Sequence, residues 1–117
     1  MSLKRRKNAV PNPHCPLSAC MALIGAAWTP NAIWYLSGGP RRFSELKSDM
    51  APVSAKMLSQ RLREMEENRL VIRRVVPTSP PSVEYELTPL GMELLPAIKA
   101  IAAVGMKLKE QAAPAPA

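Results

Sequence analysis

Four side chains that form hydrogen bonds recur at helical spacing in the middle of the chain: Lys56, Ser59, Gln60 and Arg63. At 100° per residue Lys56, Gln60 and Arg63 share one side of an α-helix with Glu67, and Ser59 lies at its edge. Leu58, Leu62 and Met65 share the opposite side. Lysine, glutamine and arginine can donate to base edges and phosphates in a DNA major groove. Taken alone, the pattern favours a solvent-exposed helix with i,i+4 charge pairs over a helix that binds DNA. The turn before this helix and the hairpin after it reverse that preference.

The distribution of charge indicates where a polyanionic partner would bind. The 117-residue chain carries a net charge of +7. Residues 1–7 contribute +4 and residues 41–76 another +4, whereas residues 8–40 hold no charged side chain and residues 77–117 sum to −1. The positive charge therefore lies on an N-terminal arm and on the middle of the chain. The arm could follow phosphates or the minor groove, or serve only solubility.

The 33 uncharged residues from 8 to 40 need a different partner. Their unbroken apolar part, Leu17 to Trp28, is shorter than the roughly 20 residues that cross a bilayer. A secretory signal is disfavoured because the cleavage-like segment LSAC comes before the apolar run and not after it. We therefore expect a protein without membrane attachment, whose first helix is buried against a second copy.

Proline and glycine delimit the first two predicted helices. Pro16 suits the first position of a helix that runs to about Ala27. Pro30 begins a second helix, which the breaker cluster at 37–40 ends.

Two capping serines predict a pair of short helices joined by a tight turn. Ser44 is expected to cap a helix over residues 45–50, and Ser54 to cap the donor-bearing helix, which ends at about Glu67. Asn68 is expected to adopt the left-handed conformation that ends this helix.

A hairpin and a last helix complete the chain. Strands at 70–76 and 83–88 flank a proline-rich turn, and Thr88 with Pro89 opens the last helix. This order of elements is that of a winged helix-turn-helix, an α+β and mostly α fold. We divide the chain into a flexible basic arm at 1–13, the folded domain at 14–110 and a disordered tail at 111–117.

The last helix carries apolar and small residues separated by four and three positions, the seam of helices packed side by side. These residues are Leu94, Ile98, Ile101, Gly105 and Leu108. The seam could serve the chain's own core, but the uncharged first helix also needs cover. We therefore predict that the N- and C-terminal helices form a homodimer interface. Two recognition helices would then meet successive major grooves about 34 Å apart on an inverted-repeat site.

Three blocks of sequence carry a family resemblance: CPLSACMALIGAAWT at 15–29, GGPRRFSELKSDMAPVSAKMLSQRLREMEENRLV at 38–71 and PPSVEYELTPLG at 80–91. Together they resemble the HxlR-type winged helix-turn-helix regulators of bacteria and archaea. The resemblance covers roughly residues 14 to 106. It implies a dimeric, cytoplasmic, sequence-specific transcription regulator that binds double-stranded DNA through a recognition helix at 54–67 and a wing at 70–88.

Departures from the family pattern concern individual contacts. Ala27 replaces a lysine, which removes a phosphate contact beside Thr29, itself a candidate for DNA binding. Ser82 replaces a basic residue at the wing tip. Arg69 replaces a glycine at the end of the recognition helix, so the turn must rely on Asn68.

The remaining arginines are candidates for phosphate binding. Arg73 and Arg74 point to opposite faces of their strand, so one is expected to reach DNA and the other to pair with Glu84 or Glu86. The sequence does not say which does which. Arg41 and Arg42 could hold phosphates or form an ordinary exposed pair.

Cys15 lies before Pro16 at a helix N-terminus, a setting that lowers a thiol pKa. Some relatives use the matching cysteine as a switch for oxidants or electrophiles, whereas the alternative is a small interface residue. Cys20 is expected in the core. A zinc site from Cys15, Cys20 and His14 is disfavoured because no fourth ligand has suitable spacing.

Three classes of function remain to be compared. A sequence-specific homodimeric regulator, with a small-molecule or oxidant effector left open, is the leading hypothesis. The alternative is an architectural DNA-binding protein without sequence preference, which salt dependence would reveal. An enzyme is disfavoured because one His, one Asp and no Gly-rich phosphate loop offer little acid-base or metal chemistry, and no cofactor is expected.

Overall fold

The computed structural model describes residues 12 and 14–112. Five helices and three strands follow one another along this part of the chain. They are α1 (Pro16–Ile24), α2 (Thr29–Leu36), β1 (Arg41–Arg42), α3 (Phe43–Asp49), α4 (Ala55–Glu67), β2 (Val71–Val76), β3 (Ser82–Leu87) and α5 (Pro89–Ala112). The predicted winged helix-turn-helix is confirmed: α3 and α4 form the helix-turn-helix, and β2 and β3 form the wing.

The sheet is antiparallel in the order β1-β3-β2. The β2–β3 hairpin runs from the pair Val71 and Leu87 to the pair Val76 and Ser82. On its other edge β3 pairs with β1, where Arg41 lies opposite Tyr85. The β1 strand was not expected from the sequence. It joins the wing to the N-terminal end of α3.

Aliphatic residues and methionine fill the core, as the low aromatic content predicts. The buried apolar residues come from every helix and from both wing strands. They are Ile24, Ala32, Ile33, Leu36, Leu46, Met50, Val53, Leu58, Leu62, Met65, Leu70, Val71, Leu87, Leu94, Leu95 and Ile98. Trp28, Phe43 and Tyr85 are partly buried and pack at the edge of this cluster.

Helix starts follow the predicted capping chemistry at one of the two serine sites. The Ser54 hydroxyl accepts a hydrogen bond from the Met57 amide at 3.0 Å, which confirms it as the cap of α4. The prediction that Ser44 caps α3 is wrong, because α3 begins at Phe43, two residues before the predicted start at 45, and Arg42 occupies the cap position. Glu45 instead accepts a hydrogen bond from the Arg42 backbone amide at 2.9 Å.

The end of α4 also differs from expectation. Asn68 has a right-handed φ of −83°, and Arg69 takes the left-handed conformation with φ 60°. The Leu70 amide donates to the Met65 carbonyl at 2.8 Å, which closes a Schellman turn around Arg69. The Thr88 hydroxyl donates to the Arg69 carbonyl, so the start of α5 holds this strained residue in place. The turn therefore does not depend on the asparagine.

The terminal helices leave apolar surface uncovered in the single chain. α1 ends at Ile24, three residues before the predicted end, and its Leu17 side chain is 67% exposed. In α5 the predicted seam divides: Leu94 and Ile98 lie in the core, whereas Ile101 is 60% exposed. The exposed apolar residues that accompany them are Met21, Val104, Met106 and Leu108.

The length of α5 exceeds what the core can cover. Pro96 lies inside the helix, which begins at Pro89. The helix continues to Ala112, two residues beyond the predicted domain end at 110. By length and composition α5 could cross a bilayer, a test that core helices also pass. The predicted arm, apart from residue 12, and residues 113–117 of the predicted tail lie outside the described part of the chain.

Candidate nucleic-acid interface

The helix α4 separates its side chains by chemistry. Leu58, Leu62 and Met65 are fully buried beneath it. The polar side chains on the other side are all exposed: Lys56, Ser59, Gln60 and Arg63. Because the apolar side holds the helix on the core, the donor-rich side points to solvent, where a DNA major groove could accept it.

The turn before α4 fixes its direction. The Val53 amide donates to the Met50 carbonyl at 2.9 Å, which closes the turn between α3 and α4. Met50 and Val53 are both buried in the core with Leu46 of α3. The short α3 therefore acts as a support for the recognition helix.

A polar cleft joins the recognition helix to the wing. It has a volume of about 350 Å³ and is lined by Ser59, Arg63, Glu66, Arg73 and Tyr85. The cleft places the guanidinium-bearing residues Arg63 and Arg73 on the same side of the molecule. With Glu66 on the same lining, the cleft carries two guanidinium groups and one carboxylate, and this net positive charge could hold a DNA phosphate.

The two wing arginines have different surroundings. An Arg74 Nη2 atom lies 3.1 Å from Glu86 Oε2, which confirms the predicted pairing across the hairpin. Arg73 faces the recognition helix and Tyr85. The structure thus separates the two arginines that the sequence left undistinguished. Arg73 is the one positioned beside the candidate interface.

The remaining arginine candidates lie at the first strand. Arg41 is half-buried and lines a second cleft with two carboxylates, those of Glu45 and Asp49. Within the described residues its buried Nε atom has no hydrogen-bond partner. Arg42 is exposed. The neighbouring carboxylates weaken the case for Arg41 as a phosphate ligand, whereas Arg42 keeps a free approach to solvent.

Thr29 does not belong to the interface. Its side chain is 2% exposed in the core at the start of α2, and its amide donates to the Ala26 carbonyl at 3.2 Å. The inclusion of Thr29 among the DNA-binding candidates is therefore wrong. The position of Thr29 in the sequence, two residues after Ala27, gave no information about its burial.

Cys15 occupies the cap position of α1 and is half-buried. The Ser18 backbone amide, and then that of Leu17, lowers the pKa of its thiol below the ordinary value. Cys20 is exposed in the chain, so its expected place in the core is wrong. Among residues 12 and 14–112, His, Cys, Asp and Glu side chains form no group of three that could hold a metal ion.

Comparison with known proteins agrees with this geometry. The model of the HxlR-like helix-turn-helix matches residues 23–113. The chain belongs to the HxlR-like helix-turn-helix family. It is therefore a DNA-binding transcriptional regulator of the helix-turn-helix type.

Individual relatives of this HxlR-like chain are similar over most of their length. The HTH-type transcriptional regulator YodB of Bacillus subtilis is 39% identical over 84 residues, which cover 71% of this chain and 75% of YodB. The structure of reduced YodB has a TM-score of 0.68 at 37% identity and covers 76% of this chain and 88% of that one. The structure of the oxidized form of the redox regulator HypR has a TM-score of 0.76 at 31% identity, and the match covers 80% of this chain and 96% of the HypR chain.

Sequence reasoning missed two features of the interface in this HxlR-like chain. Tyr85 of β3 lines the cleft between the wing and the recognition helix. Arg61 of the recognition helix has a side chain that is only 15% exposed and contacts the turn before α2. The positions of both side chains depend on how separate helices and strands pack together. The periodicity of residues within one helix or strand carries no information about that packing.

Proposed function

We propose that this HxlR-like protein is a sequence-specific regulator that binds double-stranded DNA as a homodimer on an inverted-repeat operator. The observation that carries the proposal is the exposed side of α4, with Lys56, Gln60 and Arg63 held outward by three buried apolar residues. Gln60 can pair with adenine and Arg63 with guanine, and Lys56 can reach a base or a phosphate. Ser54 and Ser59 flank these contacts.

The wing contributes contacts that position the protein and carry no sequence information. Arg73, beside Arg63 and Tyr85, holds a backbone phosphate next to the groove that α4 enters. Arg42 supplies a second phosphate contact from the other edge of the sheet. Arg74 acts mainly within the hairpin because Glu86 neutralises it. Arg41 is the weakest member of the set, since the carboxylates of Glu45 and Asp49 line the same cleft.

The homodimer is supported by apolar surface that one chain leaves uncovered. Leu17 and Met21 are exposed on α1, and Ile101, Val104 and Leu108 are exposed on α5. A two-fold axis through these helices would bring two copies of α4 to the same face of a duplex. Recognition helices about 34 Å apart then read two half-sites of an inverted repeat.

Cys15 is proposed as a sensor of oxidants or electrophiles. The support is its half-exposed thiol, the lowered pKa that the Ser18 amide causes, and the similarity to the redox regulator HypR. A thiolate is the form that oxidants and electrophiles attack. Since Cys15 begins the helix proposed to form the dimer, modification there would alter the spacing of the two recognition helices. The protein would act in the cytoplasm, on the nucleoid.

A non-specific architectural DNA-binding protein is the competing hypothesis. Such a protein would use the same net charge of +7 but would bind cognate and random duplexes alike. Selection of bound duplexes from a random pool, with and without a thiol oxidant, separates the two. Enrichment of one inverted repeat supports specific regulation, and loss of that binding on oxidation in wild type but not in C15S assigns the sensor. A pool that enriches no sequence refutes the proposal.

A further inference from the structure

Arg61 belongs to the recognition helix but does not lie on its exposed side. Its side chain is 15% exposed, and its Nε atom donates to the Ala27 carbonyl at 2.8 Å. Ala27 lies in the turn between α1 and α2, immediately before Trp28, which has a left-handed φ of 75°. A side chain 34 residues away in sequence thus ties α4 to the turn that begins α2.

The same guanidinium holds a carboxylate at the edge of the donor-rich side. The Arg61 Nη1 atom donates to both Glu64 oxygens, at 3.1 Å and 3.0 Å. Glu64 Oε1 in turn accepts a hydrogen bond from the Gln60 Nε2 atom at 3.3 Å. A continuous series of contacts therefore runs from the Ala27 carbonyl through Arg61 and Glu64 to Gln60.

The Gln60 amide keeps the groups that base recognition needs. A primary amide has two N–H donors and one carbonyl oxygen. With one N–H given to Glu64, the second N–H and the oxygen remain, and these are the pair that binds adenine. The contact with Glu64 also selects one orientation of the amide over its flipped alternative.

Glu64 would otherwise oppose DNA binding. A carboxylate beside Lys56, Gln60 and Arg63 repels phosphate, and a like charge facing a polyanion is unfavourable. Arg61 neutralises it from beneath the helix without using any donor on the exposed side.

We propose that Arg61 is a positioning residue for base recognition: it anchors α4 to the α1–α2 turn and, through Glu64, fixes the amide of Gln60. This inference rests on the proposed function as a sequence-specific regulator. It assigns Arg61 no contact with DNA. Its effect is on which base pair is read, and only secondarily on how tightly DNA is held.

The alternative is an ordinary i,i+3 charge pair within a helix, which contributes little and acts on stability alone. The two are distinguished by the pattern of base discrimination. The duplex selected from the random pool is altered one base pair at a time, and binding of each altered duplex is measured for wild type, Q60A, R61A and the Q60A/R61A double variant. The position at which Q60A loses discrimination identifies the base pair that Gln60 reads.

R61A should lose discrimination at that same base pair by at least about 5-fold, the lower end of what one bidentate contact provides. Discrimination at the positions read by Arg63 should persist, and the double variant should lose nothing further at the Gln60 position. An R61A variant that binds all duplexes more weakly by one common factor, or binds them as wild type does, overturns the inference.

E64A provides a second test that does not depend on the stability of R61A. Glu64 is partly exposed, and its removal leaves the Arg61 contact with Ala27 in place. E64A should lose discrimination at the Gln60 position as R61A does, and full retention there overturns the inference. If wild-type protein itself fails to distinguish the selected duplex from random DNA, the proposed function fails and the inference falls with it.

Discussion

Replacing Gly91 with alanine should destabilise the protein, because α5 begins in close contact with the base of the wing. A Cβ atom at Gly91 would lie 2.3 Å from the Leu70 carbonyl oxygen and 3.0 Å from Leu87 Cδ2. The Leu70 carbonyl also accepts a hydrogen bond from the Thr88 amide at 3.0 Å. The backbone at Leu70 would have to move by about 1 Å to restore an ordinary contact distance.

The expected cost combines three contributions. Overpacking of this size costs about 1 to 3 kcal/mol. Weakening of the backbone hydrogen bond from Thr88 to Leu70 adds about 1 kcal/mol to this cost. The better helix propensity of alanine lowers the cost by about 1 kcal/mol. The G91A variant should therefore lose about 1 to 3 kcal/mol in its free energy of unfolding. At this chain length that corresponds to a fall in Tm of about 5 to 20 °C.

Denaturant unfolding followed by circular dichroism measures this change, at equal protein concentration for each variant. Gly105 in the same helix is the comparison for contacts within one chain, because no atom of the described residues lies within 4 Å of a Cβ placed there. Since Gly105 also belongs to the proposed dimer seam, both variants are measured at a protein concentration at which the chain is monomeric. G105A should gain up to about 1 kcal/mol from helix propensity. If G91A is as stable as wild type, the contact between α5 and the wing is looser than described and the reasoning fails.

Three further predictions follow from single contacts. Removing the α4 cap with S54A should cost about 1 kcal/mol of stability, measured by denaturant unfolding. Because the pKa of the Cys15 thiol is lowered, its alkylation should become fast at a lower pH than that of an ordinary thiol. Mass spectrometry should detect this fast alkylation in wild type and in C20S, but not in C15S. The slope of the logarithm of the DNA-binding constant against the logarithm of salt concentration should become smaller by about one in R73A. The slope should change less in R74A, because Glu86 neutralises Arg74. Equal slopes for the two variants would contradict this assignment.

The recognition helix was predictable because one helix carries the whole signal. Over 13 residues the apolar positions repeat with a helical period, and Ser54 marks the start by its capping chemistry. The wing was predictable for a similar reason, since strong turn residues separate two runs of strand-forming residues. In both cases the deciding interactions are between residues close in sequence.

Features that depend on packing between distant elements were not predictable. The β1 strand has two residues, Arg41 and Arg42, too few for an alternating pattern. The left-handed residue at the end of α4 is Arg69 and not Asn68, and its carbonyl accepts a hydrogen bond from Thr88, 19 residues away in sequence. Thr29 looks like a helix-start residue near a phosphate site, yet its burial depends on how α2 packs in the core.

The helix α5 continues beyond the part that the core covers. Its apolar residues keep the same spacing of four and three along the whole seam, but the core covers only the part that includes Leu94 and Ile98. At about 1.5 Å per residue, the 12 residues from Ile101 to Ala112 extend about 18 Å beyond that part. An apolar side of this length in water is unfavourable, and α1 leaves Leu17 and Met21 uncovered as well. In the proposed homodimer a second copy would cover both helices and would pair the two recognition helices for the proposed inverted-repeat operator.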